Sequence, residues 1–320
     1  MVELLLGKKE AISFSDEEGT YGSAETTVEK FGRNATFDPN RDSQNIIQIK
    51  SAGTEVIDVP ARDFGAELWG GVVSYVPQNW KFLKFVFLKQ SSDVTDTGSD
   101  PYTHTFTETN EDLLSFTMER AIQATTDRVR RYEGCQVQSY GLAWDSSDPG
   151  GFLTATANIF AEDANNGTST TSLTAPTTEG FKPRHTTLTL EDSEVSYLKT
   201  GTLTINNGLT DGMYARYGLG RLKEQSAPTL RTYNLSATAH YTDDTFFDMF
   251  DSANVLTGTN SIEFKRGTND TLTFTFTGGY LNSPPDPTNL DGPNVVSLNL
   301  EFNSAAIVAV DSLNDYETFT

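Results

Sequence analysis

At 320 residues with 44 acidic and 23 basic side chains, the chain carries a formal charge of -21, a balance that repels nucleic acid and excludes tight DNA binding over most of the surface. Its 20 Phe and 12 Tyr stand among abundant Thr, Ser, Asn and Gly, which favours pleated strands and their turns over helices. The single cysteine, Cys135, excludes an intrachain disulfide and reads as a buried free thiol. No run approaches the roughly 20 apolar residues that cross a bilayer. MVELLLGKKE lacks the build of a signal segment, so synthesis in a cytoplasm without membrane insertion is expected.

Taken in chain order, the segments alternate between strand patterns and polar excursions. ATFDPN (35–40), NIIQIKSAG (45–53) and FGAELWGGV (64–72) read as strands, and the aromatic NWKFLKFVF (79–87) reads as a short helix. The polar KQSSDVTDTGSDPY (89–102) follows, then the strands of DLLSFTM (112–118) and EGCQVQSYGLAWD (133–145). AEDANNGTSTTSLTAPTTEGFKP (161–183) is so rich in Thr, Ser, Asn, Gly and Pro that it reads as a linker or long excursion. Beyond it the order recurs: LTINNG (203–208), MYARYGLG (213–220), YNLSATAHY (233–241), a second helix candidate TFFDMFDSA (245–253), DTLTFTFTGGY (270–280) and a proline-rich excursion at 279–293. In that helix candidate Phe246, Met249 and Phe250 share one face.

One constant spacing aligns Phe106 with Phe264, Asp112 with Asp270, Leu114 with Leu272 and Phe116 with Phe274. It then carries Gly134 onto Gly292, Val137 onto Val295 and Trp144 onto Phe302. Such an echo predicts a duplication: a first β domain over 1–163, a linker over 164–183, and a second β domain with a C-terminal tail over 184–320.

The search for chemistry is negative. His104, His185 and His240 stand apart without partners at metal-ligand spacing. DPNRDSQN from Asp38 has oxygens at the first calcium-loop positions but Ser43 at the sixth and Ile49 at the twelfth, and reads as a turn. The DFG triplet at Asp63 has no kinase companions, and YGLGRLK (217–223) lacks the Lys-Ser/Thr pair of a phosphate loop. No catalytic, cofactor or metal residue is assigned. RVRRYEG (128–134) is the one dense basic cluster, so Arg128, Arg130 and Arg131 are candidates for contact between copies. The acidic excursion after Lys89, at Asp96, Asp100 and position 94, supplies the opposite charge. Asn34, Asn166, Asn234 and Asn269 begin N-x-S/T triplets, which such compositions produce by accident.

LSFTMER, a loop, and EGCQVQSYGLAWDSSDPGGFLTATANIF ending before an acidic turn resemble the tail tube proteins of long-tailed bacterial and archaeal viruses. So does GTLTINNGLTDGMYARYGLG, where an N-N-G turn follows an alternating strand. The likeness spans approximately Gly19 to Val310. It implies a non-enzymatic β-sandwich or barrel flanked by a helix, whose copies form rings that stack into a hollow virion tail conducting the genome. Rings in such families commonly hold six tube domains, so a chain with two would close with three copies. The partners implied are other copies, the tail terminator, the tape measure, the distal tail or hub, and DNA passing without specific contact along an acidic wall. Three rival readings are a hub or tail-tip component of the same virion, a carbohydrate-binding β-sandwich using Trp69, Trp80 or Trp144, and an acidic enzyme adapted to salt.

Overall fold

The computed structural model describes residues 10–42, 46–49, 61–64, 68–122, 128–148, 151–167, 178–195, 198–209, 217–218, 221–222, 228–240, 255–282, 295–313 and 316. The fold is mainly antiparallel β. The first half contributes β1 (Glu10–Glu17), β2 (Val28–Lys30), β3 (Arg33–Asp42), β4 (Ile46–Ile49), β5 (Ala61–Phe64), β6 (Leu68–Val76), β7 (Val94–Gly98), β8 (Tyr102–Phe106), β9 (Phe116–Ile122), β10 (Arg128–Asp145), β11 (Thr154–Ala161) and β12 (Asp163–Gly167). The second contributes β13 (Thr186–Leu190), β14 (Ser193–Glu194), β15 (Leu198–Asn206), β16 (Tyr217–Gly218), β17 (Arg221–Leu222), β18 (Thr232–His240), β19 (Val255–Leu256), β20 (Asn260–Arg266), β21 (Asp270–Leu281) and β22 (Val295–Asp311).

The same order of ladders occurs twice. β1 pairs with β2 and β9 as β13 pairs with β14 and β20. β9 then pairs with β10 as β20 does with β21, and β3 with β6 as β15 does with β18. Finally β6 pairs with β11 as β18 pairs with β22. In the first half β10 is flanked by β11 and then β12, which separate at Glu162. In the second, β21 is flanked by the unbroken β22. The bend sits at a matching place. Gly134 (φ +64) lies beside Glu162 and Gly278 (φ +60) beside Asn303, and each takes a left-handed conformation that a side chain resists.

These ladders match the upstream elements as the sequence does, β3 with β15 and β6 with β18, but correct the downstream echo. The sequence aligned β9 with β21 and β10 with β22, whereas the hydrogen bonds equate β9 with β20 and β10 with β21. Period-two strands of Thr and aromatics look alike at any even shift, so side-chain pattern alone did not fix which strand answers which. Trp144 accordingly faces Gly201 in its ladder, and its buried ring packs edge-on against Phe264, not Phe302.

Strand alternation sends one face of each ladder inward, and the interior is aromatic. Phe14, Phe82, Phe85 and Phe116 form mutually tilted or edge-on contacts in the first half, and Phe274, Phe276 and Phe302 stack in the second. The expected helix at 79–87 forms as a 3-10 turn (Lys81–Leu83) running into α1 (Lys84–Phe87). It is not amphipathic: every residue from Trp80 to Leu88 is buried, so it plugs the core instead of flanking it. Burial pulls the Lys84 ammonium below its ordinary value, opposed by Asp16 Oδ1 at 2.5 Å. The second helix candidate, 245–253, lies outside the described residues.

The polar stretch expected as a linker is tied down at both ends. Ala164–Gly167 belongs to β12, and Phe181 is buried with its ring 4.6 Å from Trp80. The excursion at 89–102 is likewise structural, since Val94–Gly98 forms a hairpin with β8. Asp38–Asp42, expected as a turn, continues β3, and Asp63 and Phe64 close β5.

Candidate assembly surface

Two ladders join the halves. Seven residue pairs, from Ser139–Asn206 to Asp145–Thr200, run between β10 and β15, and five, from Ile307–Phe106 to Asp311–Tyr102, run between β22 and β8. Side chains lock this seam. Asn207 Nδ2 donates to the carbonyls of Val86 (3.0 Å) and Val137 (2.9 Å), while its Oδ1 accepts from Arg231 Nε at 2.8 Å. Arg231 also pairs with Glu108 at 3.2 Å and lies over the Phe87 ring. Glu108 further accepts from the Tyr233 hydroxyl and from the Ala305 amide. Loss of one member would strand charge in a poorly hydrated place, which makes such networks costly to disturb.

Near the second ladder His104, fully buried, lies between Asp96 Oδ1 (2.7 Å) and Asp311 Oδ1 (3.2 Å) and stacks on Tyr316 at 3.7 Å. Tyr316 donates its hydroxyl to Asp311 Oδ2 at 2.5 Å and its amide to Asp96 Oδ2 at 3.0 Å, and accepts from the Trp80 amide. Burial disfavours the imidazolium, but hydrogen bonds to Asp311 and Asp96 outweigh it and hold the His104 pKa above its ordinary value.

The joining ladder makes one sheet of both halves, in the order β3, β6, β11, β10, β15, β18, β22, β21. One face is core: Val73, Tyr75, Tyr140, Leu142, Ile159, Leu203, Ile205, Tyr233 and Leu235 are all buried. The other is open and follows the register: Thr36 and Asp38, Ser74 and Val72, Thr156 and Asn158, Ser139, then Thr202 and Thr204, Ser236 and Asn234, Asn299 and Glu301, and Tyr280. Its hydroxyls and amides bond across strands, as in Thr200–Thr238 at 2.6 Å and Ser236–Asn299 at 3.0 Å. Among the described residues the ladder positions of this face from Thr36 to Tyr280 carry no Lys or Arg; Arg33, opposite Val76, and Lys199, in the irregularity between Leu198 and Thr200, lie at its rim. A groove of about 600 Å³ opens at the same rim between Trp144, Asp145, Asp148, Thr200 and Thr238.

The residues singled out in the sequence are largely occupied within the chain. Arg131 pairs with Glu119 at 2.6 Å, and Arg130 lies 4.9 Å over the Trp69 ring. The Arg128 backbone pairs with Ile122. Asp96 holds His104, and Asp100 is exposed beside the hairpin turn. Position 94 is Val94, apolar and buried, and offers no charge. His240 ends β18, His185 closes a short 3-10 turn, and Cys135 is buried and free. Trp80 and Trp144 are core residues, unavailable for stacking on sugar. Sequence reasoning missed the Asn207–Arg231–Glu108 lock, because its members are single polar residues with no spacing signal.

A profile of the phage tail tube protein family matches residues 9–304, nearly the whole chain and both halves. The chain belongs to the phage tail tube protein family. Among curated proteins none matches the sequence. Membership makes the protein a structural tail component that assembles with copies of itself and with other tail parts.

Proposed function

We propose that this tail tube protein is a tandem of two tube modules, that three copies close a pseudo-sixfold ring, and that stacked rings form the conduit through which the genome leaves the virion. The observation that carries this reading is the β10–β15 ladder. It joins one half to the other through a single continuous sheet, so the chain already contains one side-by-side contact between modules. Continuing that contact around an axis would give a heterologous, closing interface.

The open face of the eight-strand sheet would line the bore. Thr, Ser and Asn hold water and offer phosphates no counter-charge, so a polyanion would pass without adhering. The wall expected from composition to be acidic would instead be mostly neutral, with Asp38, Asp145 and Glu301 as its described carboxylates. Most of the charge of -21 would then face outward and toward neighbouring rings. The tail terminator, tape measure and distal tail or hub proteins are the remaining partners of this reading, and the virion tail is its location.

Electron microscopy of the purified protein tests it. Long hollow tubes are expected, whereas assembly that stops at one ring would favour a hub. In tubes, a cysteine introduced by Thr202→Cys should resist a bulky maleimide that labels the free chain. Equal labelling in both states would place that face outside.

A further inference from the structure

The ladders assign each seam residue a counterpart at the outer edges of the chain. Thr36–Ser74 corresponds to Thr200–Thr238, so Pro39 stands where β15 has Leu203. Asn158 and Asn299 occupy the same place beside β6 and β18, and their neighbours on the next strand are Ser139 and Asn282. The sequence after Ser139 is YGLAWD; after Asn282 it is SPPDPT.

Pro39 limits the ladder that the open edge of β3 can form. Proline has no N–H to give, and within sheets it is confined to edges, where it blocks addition of another strand. The lock that Asn207 and Arg231 supply belongs to the seam inside the chain. The outer edge of the second half instead presents Val255 and Tyr280, a cross-strand pair that is 45% exposed at each residue. They are two of the four large apolar side chains that stand exposed among the described residues, and they lie side by side.

We infer that the ring has two unequal seams. The seam within a chain is a full, locked ladder. The seam between chains, where β3 of one copy meets the β19–β21 edge of the next, is proline-limited and held by side-chain contact around Val255 and Tyr280. The occupant of each outer edge is a second copy of this chain, and the inference rests on the ring reading above. Pro39 keeps free chains from adding a strand to β3 in solution, and assembled rings open between chains.

Hydrogen exchange on free and assembled protein tests this directly. Amides of Thr200–Asn206 should be protected in both states, while those of Thr36–Asp42 gain only partial protection on assembly. Protection of β3 equal to that of β15 in the ring would overturn the inference while leaving the ring reading intact. Pro39→Leu should let free chains associate at concentrations where the parent protein stays monomeric, and an unchanged monomer would count against it. Tyr280→Lys, a change at the surface, should abolish rings while leaving the folded monomer, and normal rings from it would remove the proposed seam. Failure of the parent protein to form any ring would take away the ring reading itself, and this seam with it.

Discussion

The first half interrupts at Glu162 the strand that the second half runs unbroken through Asn303, yet both keep a left-handed glycine opposite that point. Few of the residues around the two bends agree. What persists is the backbone requirement: a long central strand must turn from one sheet into another, and glycine admits the turn without a Cβ penalty. The comparison teaches that likeness between these halves resides in ladder order and backbone geometry, while side chains have diverged toward different neighbours. Those along β10 and β15 face an internal seam; in the proposed ring, those along β3 and the β19–β21 edge would face another copy.

The largest effect should come from the seam itself. Trp144→Ala removes a buried indole packed on Phe264 across the junction and should cost about 3–5 kcal/mol. Because the seam belongs to both halves, denaturant unfolding should remain a single transition at lower denaturant. Two separate transitions in the parent protein would break the picture of one continuous sheet. Arg231→Ala should cost about 3 kcal/mol by leaving Asn207 Oδ1 without its donor and Glu108 without its counter-charge, with chemical denaturation as the readout.

The paired bends give a finer comparison. A Cβ at Gly134 would lie 2.9 Å from Glu162 Cβ and 3.0 Å from the Tyr21 ring, whereas one at Gly278 would meet only the Asn303 side chain, which can swing away. Gly278→Ala should therefore cost roughly 1–2 kcal/mol from its left-handed φ alone, and Gly134→Ala clearly more. The opposite ranking in thermal melts would show that the two bends are not equivalent.

The smallest effect concerns pH. The folded His104 pKa is raised above 6.5, so the stabilisation from its carboxylate pair is complete below pH 6.5 and fades as pH climbs through the raised value. His104→Gln should flatten that part of the stability curve, measured by denaturation between neutral and alkaline pH. A decline that survives the substitution would assign it to other groups.

Much of the fold was legible in the sequence because alternation of Thr with Leu or Phe, as at Thr271 to Phe276, reports both strand and inward face. The aromatic run at 79–87 also announced its helical turn. Register was not legible, since period-two strands superpose at many shifts, and it took hydrogen-bond partners to move the match of β10 from β22 to β21. The assembly surface was harder still. Its basic candidates Arg130 and Arg131 also contact Trp69 and Glu119 within the chain, partners that charge counting does not name. The hydroxyl face needed the strand order before Thr202, Ser236 and Asn299 could be seen as one surface.

Native mass measurement of an isolated ring tests the central claim most directly. With two equivalent modules in each polypeptide and six places in the proposed ring, the account predicts three chains around the axis. A ring of six chains would mean that the halves do not occupy equivalent places, and would contradict the account.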